Sequence, residues 1–511
     1  MSTLFLKGAT IVDGTGAPPF PGNVYVSGKR ILDIGNLTPP AGAKTVDCTG
    51  LILAPGFVDA HSHSDLQVIE NRPEKLLQGV TTEVVGNCGF SPYPCNNRGA
   101  ELREFANGIF CGNDSWGWTD FRSYASEVRS KCRTGVLSLV GHGSLRVAYS
   151  GHKLGPLPDE VIRDMEEALE SALEQGAAGL STGLMYSPGS SAPLEELDRF
   201  SRIVARHDKL CATHMRDYSD LLCEAVTEQI AIAQRTGCRL QISHLQAVGS
   251  RNWSKQADAI ESIESAFAAG VDIAFDCYPY TRGATVLTQI LPQWALEGGL
   301  ARLLARLSNA GERAQIGKEM NQSLAQGWTG ILIAGLRSSA RQDLIGHSIE
   351  EIAELWHKEP AIVAFDLLLL EYGAVNILEI NQSEENLRRA LTHPLSIVIS
   401  DGFYVTGRPH PRLHGTFPYL LGEICRNRKW LSLAEAVHKI TDKPAQRLGL
   451  RERGQVRRGY YADLTVFDEA TVDSQATYED PSVPPVGIRH VFREGQALVQ
   501  NGQLVANGAL C

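Results

Sequence analysis

Eight short apolar segments recur between residues 57 and 401, and their spacing constrains the fold more than any other feature. They are Phe57–His63, Thr82–Cys88, Val136–Gly141, Gly179–Leu184, Leu210–Met215, Leu240–Leu245, Val271–Tyr278 and Ser396–Asp401. Helical patterns stand between several of them. Asp159–Gln175 and Glu224–Thr236 are clear cases, each followed by a glycine, Gly176 or Gly237, as a stop signal. Short strands alternating with helices predict a parallel α/β fold. Eight of them point to a (β/α)8, TIM-like barrel. A doubly wound open sheet is the alternative, but its dinucleotide-binding form needs a GxGxxG after the first strand, and none is present.

The two ends of the chain differ from the middle. Leu4–Ile11, Val24–Val26 and Leu51–Leu53 read as strands, divided by turn residues such as Gly14, Gly16, Pro18, Pro19 and Gly28. Ala462–Phe467 and Ile488–Phe492 read the same way near the C-terminus. The expectation is a small β-sandwich domain assembled from residues 1–54 and 453–511, beside a barrel at 55–452. The stretch 279–395, between the last two candidate strands, is far longer than one crossover helix requires. An insertion at roughly 284–345 is therefore expected to carry its own structure and to cover the site.

The 511 residues carry 48 basic and 58 acidic side chains, a formal charge of −10 with no Lys/Arg-rich block. That charge provides no electrostatic footprint for nucleic acid. The first residues lack the basic and long apolar regions of a signal peptide. No apolar run approaches the ~18 residues of a membrane span; Leu367–Leu370 is far too short. Eleven cysteines, an odd number without a CxxC pair, argue for free thiols in a reducing, cytoplasmic setting. All but Cys88 read as ordinary structural residues. The sequence leaves the oligomeric state open.

Metal-binding side chains fall at the C-terminal ends of these strands, the face of a barrel on which active sites sit. The first candidate strand ends in Asp59-Ala60-His61-Ser62-His63, the second in Gly86-Asn87-Cys88-Gly89, the fifth in Thr213-His214, the sixth in Ser243-His244 and the eighth in Ser400-Asp401-Gly402. His61 and His63, two apart on a strand, point the same way and can reach one ion. Imidazole, thiolate and carboxylate together match what Zn²⁺ binds. Asp401 before Gly402 reads either as a turn or cap residue or as a carboxylate beside a metal, able to take a proton from water and return it to a leaving amine. Arg412, in Pro409-His410-Pro411-Arg412, could grip a carboxylate through its fork of donors or lie on the surface. Tyr278 and Tyr280 each offer a hydroxyl or a packing ring.

Seven motifs, in order along nearly the whole chain, resemble those of the D-aminoacylases (N-acyl-D-amino-acid deacylases) of the amidohydrolase superfamily. They are residues 56–65 (GFVDAHSHSD), 79–91 (GVTTEVVGNCGFS), 179–189 (GLSTGLMYSPG), 213–216 (THMR), 242–245 (ISHL), 400–402 (SDG) and 409–417 (PHPRLHGTF). The resemblance implies a tight zinc site at Cys88, His214 and His244, and a weaker second site at His61 and His63 sharing Cys88. It implies Asp401 as the acid/base, and Arg412 with Tyr278 as the groups holding the substrate α-carboxylate. Many members of the superfamily have a carboxylated Lys at the end of strand four; here Ser181-Thr182 stands there, as expected where Cys88 bridges. The implied reaction is hydrolysis of a linear amide, a carbon–nitrogen bond other than a peptide bond, in N-acyl-D-amino acids or related D-configured peptidyl substrates.

One position departs from the family. A Lys that helps bind the α-carboxylate is expected two residues after the strand-six His, and here it is Gln246. A lost charged hydrogen bond of this kind costs ~1.5–3 kcal/mol. A substrate without a free carboxylate, such as a peptide or larger natural product, is one consequence. The rival readings are a cyclic-amide hydrolase of hydantoinase or dihydroorotase type, disfavoured by the missing Lys and by Gly86-Asn87-Cys88-Gly89, and a non-catalytic barrel that binds small molecules.

Overall fold

The computed structural model describes residues 3–70, 72–112 and 116–505. Eight parallel strands form one sheet in sequential order: β1 (Phe57–Asp59), β2 (Val80–Val85), β3 (Gly135–Gly141), β4 (Gly179–Gly183), β5 (Leu210–His214), β6 (Arg239–Ile242), β7 (Ile273–Cys277) and β8 (Ser396–Val398). Each falls on one of the eight expected segments. The sheet closes just beyond the regular ends of its first and last strands. There the Asp401 N–H donates to the His61 carbonyl at 2.8 Å and the His63 N–H to the Gly402 carbonyl at 3.0 Å. Closure and candidate site residues thus share the same few peptides.

Helices cover the barrel because their apolar rows fit it. In Asp159–Glu174, Ile162, Met165, Leu169, Ala172 and Leu173 recur at helical spacing and are buried, while Asp159 and Glu160 occupy the first turn, where the helix dipole favours them. Each of the larger side chains contributes ~1.5–3 kcal/mol by leaving water. Leu222–Thr236 stops at Gly237, which takes the left-handed conformation at φ 71°.

Strands from both ends of the chain share a second sheet. Leu464–Phe467 runs antiparallel to Ile52–Pro55, with Leu464 opposite Pro55, and splices the C-terminal strands onto the N-terminal ones. The long strand Thr3–Ile11 pairs with Lys44–Asp47 along its first half and with Ile52–Pro55 at its end, and its antiparallel pairing with Phe20–Ser27 shifts register between Leu6 and Ala9. Leu6, Ile11, Val24, Leu53, Leu464 and Phe492 meet in one apolar core.

The long connection between β7 and β8 has a core of its own. Arg282–Val286, Val375–Ile380 and Ile331–Leu336 form an antiparallel three-stranded sheet with Val375–Ile380 in the centre. Its core runs from Leu287 to Ile377, so the inserted structure reaches well past residue 345. The helix Pro360–Leu370 belongs to it, with Leu367 and Leu368 fully buried. That accounts for the short apolar run that was too brief for a membrane span. Among the described residues no helix is long and apolar enough to cross a membrane.

Candidate active site

Three candidate ligands sit on strained backbone directly after strands. Cys88, His244 and Asp401 have φ of 53°, 36° and 48°, the left-handed region that costs a non-glycine residue ~1–2 kcal/mol. Glycines make the Cys88 turn feasible. Gly86 and Gly89 both have φ 79°, and a Cβ on Gly86 would lie 2.1 Å from the Leu139 carbonyl oxygen. The His244 N–H is held by Asp276 Oδ1 at 2.6 Å. Strain concentrated in this way at a cleft marks a functional constraint.

The side chains converge. Cys88 Sγ lies 3.3 Å from His61 Nε2 and 3.5 Å from His244 Nε2. Asp401 Oδ1 is 3.3 Å from both His61 Nε2 and His63 Nε2. One donor atom each from His61, Cys88, His244 and Asp401 fits within 4.8 Å. His214, the last residue of β5, stacks edge-on beside His244 with ring centroids 4.6 Å apart. All six are buried. The five metal candidates and Asp401 named from sequence are therefore brought together.

The donors suit a divalent cation. The ring nitrogens His61 Nδ1, His63 Nδ1, His244 Nδ1 and both of His214 are buried without a hydrogen-bond partner, and each such orphan costs ~1–3 kcal/mol. Burial opposes ionisation of the Cys88 thiol, but the charge at His61, with His214 and His244 close by, outweighs it and holds the thiol well below its usual range. Asp401 is likewise held well below the carboxylate range, because Arg412 and His61 outweigh its burial. Burial opposes charge on His61 and His63 too, but with Cys88 and Asp401 ionised beside them both are held above the usual imidazole range. A divalent cation in place of those protons would meet a thiolate, a carboxylate and imidazole nitrogens, a zinc donor set.

Arg412, Tyr278 and Gln246 form a second group beside the first. Arg412 opens the helix Arg412–Tyr419 and is 1% exposed, so it is a core residue and not a surface one. Its guanidinium lies 4.5 Å from the Tyr278 ring centroid, and its Nη1 is 2.9 Å from Asp401 Oδ2. Its Nε makes no hydrogen bond, and Nη1 faces Asp401. The Tyr278 hydroxyl donates to Gln246 Oε1 at 2.9 Å. A guanidinium with spare donors beside a phenol is equipped to take a carboxylate.

Two supporting residues escaped the sequence reading. Asp276, which fixes His244 and lies 3.7 Å from His61 Nδ1, is an acid inside the apolar strand β7; that mismatch was its signal. Lys75 pairs with Asp59 at 2.5 Å and donates to Ser400 Oγ at 2.6 Å. It lies on a short helix just before β2, away from the C-terminal strand ends that carry the site, and no local pattern marks it. The site opens into a cavity of about 390 Å³, lined by His63, Cys88, His214, His244 and Asp401 on the barrel side. Gln289, Leu324, Gln326 and Glu379 of the insertion form the opposite wall.

The sequence profile of the Amidohydrolase family matches residues 44–499. The chain belongs to this family. The amidohydrolase is 34% identical over 499 residues to an N-acyl-D-glutamate deacylase of Alcaligenes xylosoxydans xylosoxydans, covering 97% of this chain and 93% of that one. It is 33% identical to a D-aminoacylase of the same organism, covering 97% and 94%. Among solved structures, the N-acyl-D-glutamate deacylase of Bordetella bronchiseptica, complexed with zinc and a phosphonate inhibitor that mimics the tetrahedral intermediate, superposes with a TM-score of 0.83. That pair shares 31% identity and covers 98% of each chain. An L-hydantoinase of Arthrobacter aurescens reaches a TM-score of 0.59 at 14% identity, covering 99% and 98%, and so shares the fold alone.

Proposed function

We propose that this amidohydrolase removes the acyl group from N-acyl-D-amino acids or related D-configured peptidyl substrates, with zinc held by His61, His63, Cys88, His214 and His244. The observation that carries this reading is the buried cluster of His61, Cys88, His244 and Asp401 at the mouth of the barrel. Relatives named for this chemistry support it, matching the chain almost end to end. The cyclic-amide reading rests only on shared fold. A cytoplasmic location is part of the proposal, supported by free thiols at all ten described cysteines.

Zinc in this site supplies Lewis acidity, polarising the scissile carbonyl and acidifying water. The chain's residues do the rest. Asp401, ionised and 2.9 Å from Arg412, takes a proton from the attacking water and passes it to the leaving nitrogen. Amide and water thus become carboxylate and amine. Arg412 and Tyr278 hold the α-carboxylate and so fix which face of the amide meets Asp401. The Tyr278 hydroxyl donates to Gln246 in the unliganded protein and turns from it to meet a carboxylate. Gln246 itself adds no charge, which leaves substrates without a free carboxylate as the second reading.

A hydrolysis screen tests both. Zinc-loaded protein is assayed with N-acetyl-D-amino acids, their L-enantiomers and their carboxamides, with Asp401→Asn as the blank. Release of free D-amino acid that disappears in the variant is expected. Turnover of carboxamides alone would transfer the reading to substrates lacking the carboxylate. No turnover of any of them would refute deacylation.

A further inference from the structure

The insertion side of the cavity offers acceptors and no free cation. Glu379 sits on the strand Val375–Ile380, where the row that begins with Val375 and Ile377 in the insertion's core runs out into the cavity. Its one hydrogen bond among the described residues comes from Gln326 Nε2, at 2.7 Å to Oε1, and it forms no ion pair there. Asn381 Oδ1 and Gln289 Oε1 are buried acceptors without partners, and both residues line the same cavity as Glu379.

Arg216, the one Arg or Lys lining this cavity among the described residues, is engaged elsewhere. It spends Nε on Glu228 at 2.7 Å, Nη1 on the Ser190 carbonyl at 2.6 Å and Nη2 on the Ala192 carbonyl at 2.7 Å. Gln326 donates to Glu379 itself. A second carboxylate on a substrate would meet a carboxyl and two lone acceptors on this wall. An ammonium or guanidinium suits such a wall, because these groups carry several donors and no acceptor.

We propose that this wall selects substrates whose side chain bears a cation, with Glu379 as its charge partner and Asn381 and Gln289 as added acceptors. The inference rests on the deacylase reading for the reaction and adds to it the class of side chain. It separates this chain from the relatives named for N-acyl-D-glutamate and N-acyl-D-aspartate, since acidic side chains require the opposite charge in the pocket. Burial pushes the Glu379 carboxyl up to about 7. That is the behaviour of an acid lacking its counter-ion, and an incoming cation draws the proton off.

The test compares kcat/KM for N-acetyl-D-lysine, N-acetyl-D-methionine and N-acetyl-D-glutamate within each protein, so that ratios cancel any loss from altered folding. In the wild type lysine should exceed glutamate by ~10-fold or more, the worth of one charged hydrogen bond. Glu379→Gln should bring that ratio to within about threefold, and Glu379→Lys should reverse it. Turnover of the methionine substrate with no lysine preference, or with a preference that survives Glu379→Gln, would overturn the inference and leave deacylation standing. Should none of these compounds be hydrolysed, deacylation fails and calorimetry decides Glu379 alone. On the Asp401→Asn background N-acetyl-D-lysine should bind more tightly than N-acetyl-D-glutamate, and adding Glu379→Gln should remove the difference. Equal binding of the two ligands would overturn it.

Discussion

Lys75→Met is the most informative single change away from the ligands. The Lys75 ammonium and the Asp59 carboxylate are 3% and 0% exposed and 2.5 Å apart. Ser400 ties them to the site: its hydroxyl donates to Asp59 Oδ2 at 2.5 Å and its N–H to Asp59 Oδ1 at 3.0 Å. Removing one partner of a buried pair leaves an uncompensated charge and costs ~3–5 kcal/mol. Two Ser400 donors remain on Asp59, each worth ~1 kcal/mol, so the lower end of that range, about 3 kcal/mol, is expected. The double variant Asp59→Asn with Lys75→Met removes both charges and keeps an acceptor for Ser400, and should recover at least half of the loss. Equilibrium urea unfolding, followed by circular dichroism at pH 7 and equal zinc loading, gives both numbers. Because Ser400 precedes Asp401, turnover should fall in the single variant more than its folded fraction does. A loss under ~1 kcal/mol, or a double variant no better than the single, would refute the argument that this pair locks the barrel seam beneath Asp401.

Other substitutions probe separate parts of the argument. Cys88→Ser should lower zinc affinity by more than the ~10–100-fold that outer partners of a metal site are worth; zinc analysis of protein dialysed against a chelator checks it, and unchanged occupancy would remove Cys88 from the donor set. Gly86→Ala, whose Cβ would lie 2.1 Å from the Leu139 carbonyl at φ 79°, should cost at least ~2 kcal/mol. Gly42→Ala, at φ 81° with open space around it, should cost only ~1 kcal/mol, and equal thermal midpoints for the two would contradict the steric argument. Glu379 is raised to about 7 by burial, above its ordinary value near 4.5, so the unfolded chain gives up this proton first. The ligand-free folded state therefore loses stability as pH rises between those values. Glu379→Gln should match the wild type near pH 4 and exceed it by ~1–3 kcal/mol at pH 8; a difference that ignores pH would show that the carboxyl is not desolvated.

The barrel and its chemistry were legible for a shared reason: each ligand is joined to a strand, and strands announce themselves. His214 ends β5, and His61, Cys88, His244 and Asp401 follow their strands within a few residues. The exact ends were less legible. The second strand was expected to run to Cys88 but stops at Val85, because Gly86 turns the chain at φ 79° while the apolar pattern gives no sign of it. The far end of the insertion was missed because Pro360–Leu370 is apolar nearly all round, so it lacks the periodicity that would have marked a helix with its own core. Asp276 was visible in principle as a charge within β7. Lys75 and Glu379 were not, since their partners, Ser400 and Gln326, are remote in sequence and meet them only in the folded chain.

Strain and binding meet at the same residues for a physical reason. A regular strand points alternate side chains to opposite faces, so only a residue that breaks the pattern can turn an extra donor inward. Cys88, His244 and Asp401 do this through positive φ, together costing ~3–6 kcal/mol. The surroundings supply part of the hold: glycines at 86 and 89 for Cys88, the Asp276 carboxylate for the His244 N–H, and the His61 carbonyl for the Asp401 N–H. These anchors belong to β7 and to the segments that follow β1 and β2, at the rigid wall of the barrel, so they are in place before any ion arrives. A bound zinc ion, worth ~10–16 kcal/mol in structural sites, exceeds the strain several-fold and relieves the orphaned imidazole nitrogens as well. The wall of the insertion carries no such strain at Glu379, Asn381 or Gln289. Its side chains can therefore be exchanged without disturbing the donors, which is why selectivity can change on one side of the cavity while the chemistry on the other is retained.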